Sequence, residues 1–389
     1  MNFKTFSKRL IHGRGGEGSL YQNQYKYHHT VHMKGGVKEM KKLMFMTMIG
    51  FIAVALVVLY GSPAFAVNGQ CSNCHTMHNS QDGAPMNFDA SATPNPVLLR
   101  GDCIGCHSVT DTSNFNSVNA PAVLNTVEPT AGVLAGGNFY WVDNGTDNLG
   151  HNVDFLQGKD AQFAADPPGW DSTYRASASD WAGNQLTCAG VYGCHGDPTV
   201  TGSYEGVKGA HHSNATGSIT GNPATTGASY RFLYGIAGVE DSDYEATVGI
   251  ADKNMYQGAN NVDTATNTMS YLCATCHGVF HDKAEVGSTS PFIRHPNDYL
   301  LPETSEYGNY NPITTYVNEA PVAWITPGTP ARAEAVVMCL SCHRAHGMGD
   351  VDGAQDAQFA DILRFEYDDM VAGGGVENAG CLTCHNTKD

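Results

Sequence analysis

The stretch CSNCHTMHNS, residues 71–80, decides how this chain folds, because its first five residues form a pattern that returns along the chain. Two cysteines separated by two residues and followed at once by histidine occur five times: Cys71-Cys74-His75, Cys103-Cys106-His107, Cys273-Cys276-His277, Cys339-Cys342-His343 and Cys381-Cys384-His385. C-x-x-C-H is the attachment motif of c-type haem, in which both thiols bond to the porphyrin and the histidine is the proximal iron ligand. Five copies in one chain therefore predict five covalently bound haems.

The two remaining cysteines, Cys188 and Cys194, are separated by five residues and followed by His195. Because histidine follows the second cysteine as in the other copies, the pattern predicts a sixth covalent haem c on an expanded C-x5-C-H loop. Gly190 and Gly193 allow this loop to bulge. A disulfide or a single thioether is the alternative, and a four-cysteine zinc site lacks the second cysteine pair it needs. Sites one to six are numbered in chain order by their proximal ligands, His75, His107, His195, His277, His343 and His385.

Seven further histidines follow residue 66 and are candidates for the distal positions of six irons: His78, His151, His211, His212, His281, His295 and His346. Ligation by two histidines leaves no open iron and favours electron transfer over catalysis, with methionine as the competing distal ligand. We expect one of the neighbours His211 and His212 to be spare. His78, His281 and His346 follow their own motif by three or four residues, so they project from nearly the same face as its proximal histidine. Each is therefore predicted to serve a different iron.

The amino-terminal segment predicts export. Residues 43–60, LMFMTMIGFIAVALVVLY, are uncharged and largely apolar, with Lys41 and Lys42 before them and Ala64-Phe65-Ala66 after them. This arrangement is typical of a secretory signal peptide cleaved after Ala66, and a membrane anchor is the alternative. We expect residues 1–39 to be a wrongly assigned start or an unstructured extension, residues 40–66 the signal peptide and residues 67–389 one hexahaem unit. No stable membrane insertion is expected after cleavage.

The composition argues against an ordinary core. Acidic residues outnumber basic ones 38 to 21, giving a formal net charge of −17 that disfavours nucleic acid as a partner. The gaps between cysteines are rich in Gly, Asn, Thr, Ser and Asp, which form turns. We expect a mostly irregular chain with short α-helices and few β-strands, organised around six haems. The residue pattern predicts helices at 271–281, 331–345 and 361–371, and a strand at 138–142.

An ordered set of stretches resembles the OmcS-like hexahaem outer-surface cytochromes of metal-reducing bacteria, which form extracellular cytochrome nanowires. The matching stretches are CSNCHTMHNS (71–80), PVLLRGDCIGCH (96–107), GGNFYWV (136–142), GHN (150–152), GNQLTC (183–188), RHP (294–296), CLSCHRAH (339–346) and CLTCHNTKD (381–389). The resemblance implies a chain that is mostly coil around stacked bis-histidine haems. It also implies self-association into a filament outside the cell.

In that family the second histidine of the first motif ligates a haem of the adjoining subunit. Carried over, the resemblance implies that His78 binds the haem of Cys339, Cys342 and His343 in the next subunit. Redox partner cytochromes and extracellular metal oxides or other cells are the implied electron partners. Site three departs from the family pattern because Gly196-Asp197-Pro198 follows it instead of a prompt histidine, so His211 or His212 is expected to serve it.

Two other functions remain open at this point, and neither makes a filament. A periplasmic multihaem reductase would act on a small nitrogen or sulfur oxyanion and needs an open iron, for which the C-x5-C-H site is the candidate. The acidic composition would repel such anions. A soluble electron shuttle would share the electron-transfer chemistry without polymerising. We expect an electron-transfer protein and not an enzyme.

Overall fold

A computed structural model describes residues 70–129, 133–159, 166–175, 181, 183–211, 218–219, 223–247, 249–250, 252–262, 264–281, 294–315, 320–347 and 381–385. All of them belong to one compact unit, Phe65–Asp389. The predicted amino-terminal extension, the signal peptide, the helix at 361–371 and His212 lie outside these residues. In the described part of the chain, no helix is long and apolar enough to cross a membrane.

Most described residues lie in turns and irregular segments, as expected, and the regular elements are short. The α-helices are α1 Cys103–Cys106, α2 Tyr140–Asp143, α3 Ser203–Gly206, α4 Met269–His277 and α5 Cys381–Cys384. The 3-10 helices are Cys71–Asn73, Pro96–Leu98, Asp147–Leu149, Thr226–Ala228, Tyr230–Phe232, Gly278–Phe280, Ser305–Tyr307, Arg332–Glu334 and Cys339–Ser341.

Twelve short strands are described: β1 Ser80–Gln81, β2 Ala84–Pro85, β3 Ser108–Val109, β4 Leu124–Asn125, β5 Thr187–Ala189, β6 Gly193–His195, β7 Ser218–Ile219, β8 Gly238–Val239, β9 Met255–Gln257, β10 Tyr299–Leu300, β11 Ala323–Trp324 and β12 Ala335–Val337. Six of them form one sheet in the order β10-β12-β11-β9-β8-β7. Only β9 and β11 run parallel in it. The other six strands form three two-stranded ladders.

The six-stranded sheet carries a packed apolar core, which the composition did not predict. Tyr256, Val336 and Met338 are buried together on one side of it. Trp324 and Val322 belong to a second buried cluster. The expectation that the chain lacks an ordinary hydrophobic core is therefore wrong for this region, because residues far apart in sequence supply the apolar side chains.

The predicted helix at 331–345 is also wrong. A 3-10 turn, strand β12 and a second 3-10 turn replace it. Strand β12 pairs with β10 on one side and with β11 on the other. Two ladders and the burial of the β-branched Val336 outweigh the local helix preference of the alanines and glutamate. This turn-strand-turn order brings Cys339 directly to the end of the sheet.

The predicted strand at 138–142 is a helical turn instead. The Asn138 side chain accepts a hydrogen bond from the Tyr140 amide at 2.9 Å and also bonds Asn125. Such local side-chain bonds compete with strand pairing. The helix predicted at 271–281 is confirmed as α4 followed by a 3-10 turn, with Thr268 capping α4 through a 3.1 Å bond from the Tyr271 amide.

Candidate haem-binding sites

The cysteine motifs of sites one, two, five and six lie where short elements begin, whereas Cys273 of site four lies inside helix α4. Cys71, Cys103, Cys339 and Cys381 each open a helical turn. At site three, strands β5 and β6 run parallel, and their register pairs Thr187 with Gly193 and Ala189 with His195. This register sets the two site-three cysteines side by side on neighbouring strands. The three extra residues of the loop thus make a compact ladder.

One continuous cavity of about 2230 Å³ runs through the cysteine motifs of sites one to five. Its lining includes thiols of all five sites, Cys74, Cys103, Cys106, Cys188, Cys194, Cys273, Cys276, Cys339 and Cys342. It also includes the imidazoles of His75, His107, His151, His195, His211, His277, His281, His295, His343 and His346. Ordinary small-molecule pockets measure roughly 300–1,000 Å³. The chain therefore encloses room for several large flat groups beside its thiols.

Thiols of successive sites lie against each other. The contacting pairs are Cys74 with Cys106, Cys103 with Cys188, and Cys273 with Cys339, each joined by a thiol hydrogen bond, while Cys194 and Cys276 interact electrostatically. These contacts link site one to two, two to three, three to four and four to five. The first five sites therefore form a row in chain order.

The thiols fit covalent attachment better than disulfide or redox roles. All twelve cysteines are free, so Cys188 and Cys194 form no disulfide. Burial raises the pKa of Cys106 to about 12 and the pKa values of Cys194 and Cys384 to about 11. Such thiols stay protonated at neutral pH, unlike the low-pKa cysteines of redox sensors.

The proximal imidazoles are oriented by hydrogen bonds at Nδ1. The Nδ1 contacts are His75 to the Val97 carbonyl at 3.2 Å, His107 to the Pro121 carbonyl at 2.8 Å, His195 to the Arg231 carbonyl at 3.0 Å, His277 to the Pro168 carbonyl at 2.7 Å, and His385 to Glu306 Oε1 at 2.6 Å. An acceptor at Nδ1 holds the proton there and directs Nε2 at a metal. These residues therefore fit the role of iron ligands.

Two of these acceptor carbonyls sit in strained turns of the same shape. Val97 and Leu98 have φ of 50° and 55°, and Arg231 and Phe232 have φ of 48° and 59°. Non-glycine residues rarely adopt this left-handed region, which costs about 1–3 kcal/mol per residue and clusters at functional sites. Each turn presents the carbonyl that bonds a proximal imidazole, at sites one and three. The strain thus coincides with the positioning of the ligands.

Four proximal imidazoles lie opposite a second imidazole. The ring-centroid distances are 5.6 Å for His107 and His211, 6.2 Å for His195 and His346, 6.2 Å for His277 and His151, and 6.3 Å for His385 and His295. Two imidazoles bound to opposite faces of one metal ion, at about 2 Å from each nitrogen, have centroids about 6 Å apart. The spacing of all four pairs matches this arrangement.

Burial lowers the pKa of six of these imidazoles and so favours their neutral form. It lowers the pKa of His107, His151, His195, His277 and His295, and it lowers that of His346 to about 3 with a further contribution from His195. The neutral form is the one that binds metal. The distal His151 is oriented in the same way as the proximal histidines, since its Nδ1 lies 2.5 Å from the Ala345 carbonyl.

His281 differs from the other distal candidates. Its Nε2, the atom a ligand would use, lies 3.0 Å from Asp298 Oδ2, and both side chains are buried. Thr268 donates a second hydrogen bond to the same carboxylate oxygen at 3.1 Å. This His–Asp–Thr cluster joins helix α4 to the start of β10. This bond competes with ligation of a neighbouring iron by His281, which the sequence predicted.

A His281→Phe substitution tests the cluster. We expect it to lower the free energy of unfolding by about 1–3 kcal/mol, because it leaves a buried carboxylate short of one hydrogen bond. The midpoint of chemical denaturation measures this change, and the ferric EPR spectrum measures ligation. A new high-spin signal in this variant would contradict the assignment of His281 to the cluster.

Two other distal candidates, His78 and His346, differ in their surroundings, and two carboxylate contacts were not predicted from the sequence. His78 is exposed next to Met77, which is 86 % exposed. His346, expected at an unspecified neighbouring iron, lies opposite the site-three imidazole, where His211 or His212 was expected. The contacts of Asp298 with His281 and of Glu306 with His385 could not be predicted from the sequence, because only the tertiary fold brings these residues together.

Six clusters of two cysteines and a histidine, five of them around one cavity and four with opposed imidazoles, form the arrangement that a multihaem c-type cytochrome requires. No protein-family model matches this chain. It is similar to C-type cytochrome OmcS of Geobacter sulfurreducens, with 27 % identity over 377 residues that cover 77 % of this chain and 82 % of that protein. The resemblance to OmcS-like cytochromes that the motifs indicated is confirmed by this match.

Two solved structures are also similar to the chain. The outer membrane cytochrome S filament from Geobacter sulfurreducens has a TM-score of 0.42 and 22 % identity, covering 78 % of this chain and 84 % of that one. The OmcS nanowires of the same organism, solved by cryo-electron microscopy, have a TM-score of 0.41 and 23 % identity, covering 74 % and 84 %.

Proposed function

We propose that this chain holds six bis-histidine haems and conducts electrons along them as one subunit of an extracellular filament. The observation that carries the proposal is the set of four opposed imidazole pairs across the row of cysteine motifs. Haem c, bound through two thioethers, supplies an iron that takes up and releases one electron. The role of the chain is to attach, orient and align these groups.

The four pairs assign most of the distal ligands. His211 serves site two, His346 site three, His151 site four and His295 site six. His281 is outside the ligand set because Asp298 occupies its Nε2. The spare histidine is then His281, rather than one of the neighbours His211 and His212.

Four sites and five histidines are now accounted for. Two distal candidates, His78 and His212, remain for the two remaining sites, one and five. His78 follows His75 by three residues and cannot reach the opposite side of that iron. The family resemblance gives His78 to site five, and His212, which lies outside the described residues, then remains as the candidate for site one. Adjacent histidines at 211 and 212 would then serve adjacent sites, which agrees with the contact between Cys74 and Cys106.

The surroundings of His78 support ligation between subunits. His78 is exposed, as are the apolar side chains of Met77, Val97 and Leu98, with Val97 64 % exposed. The two segments lie side by side, because the Thr76 amide donates to the Leu98 carbonyl at 2.9 Å. Exposed apolar side chains that group together mark interaction surfaces. In the proposed filament His78 reaches the site held by Cys339, Cys342 and His343 of the next subunit, as the family resemblance implies.

The proposed location is the outer cell surface, with redox partner cytochromes as donors and extracellular metal oxides or other cells as acceptors. A net charge of −17 favours solubility and repels small anions, which disfavours an oxyanion reductase. His346 opposite His195 also disfavours a reductase, since it closes the C-x5-C-H site. The relatives described as nanowires support polymerisation over a soluble shuttle.

Low-temperature EPR of the oxidised filament tests the proposal. We expect only low-spin ferric signals, because every iron has two imidazole ligands. Cyanide and nitrite should leave the spectrum unchanged, since binding needs a vacant position. A substantial high-spin signal in the assembled material, or turnover of nitrite, would favour the reductase instead. A sample that never forms filaments would favour the shuttle.

A further inference from the structure

Site six differs from the other sites in what holds its proximal imidazole. At sites one to four, Nδ1 contacts a backbone carbonyl, which is neutral. At site six, Nδ1 of His385 lies 2.6 Å from Oε1 of Glu306, a carboxylate. Both side chains are 24 % exposed, so the pair is only partly screened by solvent. Among these five contacts, site six alone has a formal negative charge against its ligand.

The segment that carries Glu306 is held in place. Glu306 lies in the 3-10 turn Ser305–Tyr307, and the Tyr307 ring packs against the His385 ring at 4.9 Å and 62°. The Arg332 guanidinium donates hydrogen bonds to four carbonyls of this segment, those of Leu301, Pro302, Tyr307 and Tyr310. The carboxylate therefore stays in position against the imidazole.

We propose that Glu306 tunes site six by making His385 a stronger electron donor, which lowers the reduction potential of the iron held there. The inference rests on the proposed function, in which His385 ligates a haem iron. A carboxylate at the second nitrogen of a ligating histidine raises the basicity of the ligand. The ferric state carries one more positive charge than the ferrous state, so a better donor and a nearby negative charge stabilise it more.

The positive charge of Arg332 near Cys384 acts in the opposite direction. The direct contact of Glu306 determines the direction in which the reduction potential shifts. It polarises the ligand itself, whereas the Arg332 charge is shared among four carbonyls. An iron of low potential releases its electron readily. Glu306 therefore favours site six as an electron donor to the haems of the other sites.

Redox titration of the filament with Glu306→Gln tests this inference. We expect one of the six components to move to higher potential, with an order-of-tenfold rise in its ferrous-to-ferric ratio at fixed potential, or about 59 mV for one electron. Glu303→Gln is the matched control, since it removes the same charge from an exposed residue of the same segment that acts on site six only through Arg332, and it should move this component much less.

A Cys381→Ala/Cys384→Ala variant identifies the site-six component as the one that disappears. If Glu306→Gln does not accumulate, Glu306→Asp replaces it, because the charge is kept while the shorter side chain withdraws from Nδ1. A smaller shift of the same component is then expected. No shift, or a shift of another component, overturns the inference while six low-spin signals leave the proposed function intact. A high-spin signal from site six in the wild-type filament would instead overturn the proposed function.

Discussion

We expect the replacement of His78 by alanine to abolish filaments and to leave a folded subunit in which one iron is high-spin. His78 is exposed and lies three residues beyond its own motif, so its loss removes no buried contact and opens no iron at site one. The open iron is expected at site five, which in the proposed filament takes its second imidazole from the neighbouring subunit. Electron microscopy of material sheared from the cells, together with EPR of the purified subunit, measures both effects.

Exogenous imidazole sharpens this test. It should convert the high-spin signal of the His78→Ala subunit to low-spin without restoring filaments. Free imidazole replaces the iron ligand but does not connect one subunit to the next. Ser80→Ala, a change at an exposed residue two positions further on, should leave filaments intact. Filaments in the His78→Ala variant, or an open iron other than that of site five, would contradict ligation between subunits.

We expect the replacement of His346 by alanine to open the iron of site three, in the middle of the row of sites. The His346 ring faces that of His195 at 6.2 Å and packs against Phe139 at 4.9 Å. The backbone holds it closely, since the His346 amide donates to the Gly136 carbonyl at 2.7 Å and a Cβ at Gly136 would meet the imidazole at 3.0 Å. EPR should show one high-spin iron, and cyanide should bind to it.

His281→Ala is the matched control for this experiment. Both histidines follow their motifs closely, both lie within the fold, and both line the cavity. Only His346 faces a proximal imidazole, so only its loss should create a high-spin signal. If the two variants gave the same spectrum, or if His281→Ala alone opened an iron, the pairing of His195 with His346 would be contradicted.

Local signals predicted part of the fold. The helix at 271–281 was predictable because Thr268 caps it and its contacts are within a few residues. The helix predicted at 331–345 failed because strand β12 gains two ladders from β10 and β11, whose residues lie elsewhere in the chain. The turn at Tyr140 depends likewise on the side-chain bond between Asn138 and Asn125.

The sequence by itself determined the chemistry of attachment. Cysteine spacing followed by histidine predicts six covalent sites, since the reacting groups are neighbours in the chain and need no fold to be recognised. The histidine total likewise predicted that every iron could receive a second imidazole. Export is likewise predicted from the order of residues alone, and the formal net charge of −17 follows from the composition.

Only the tertiary structure decided which distant groups meet. The Nδ1 of His151 reaches the carbonyl of Ala345 across 194 residues, and Glu306 meets His385 across 79. These contacts depend on the path of an irregular backbone through turns, for which the chain carries no periodic signal. The opposed imidazole pairs, the bond between His281 and Asp298 and the contact between Glu306 and His385 therefore depend on the tertiary fold, because long-range contacts are set by packing and not by spacing.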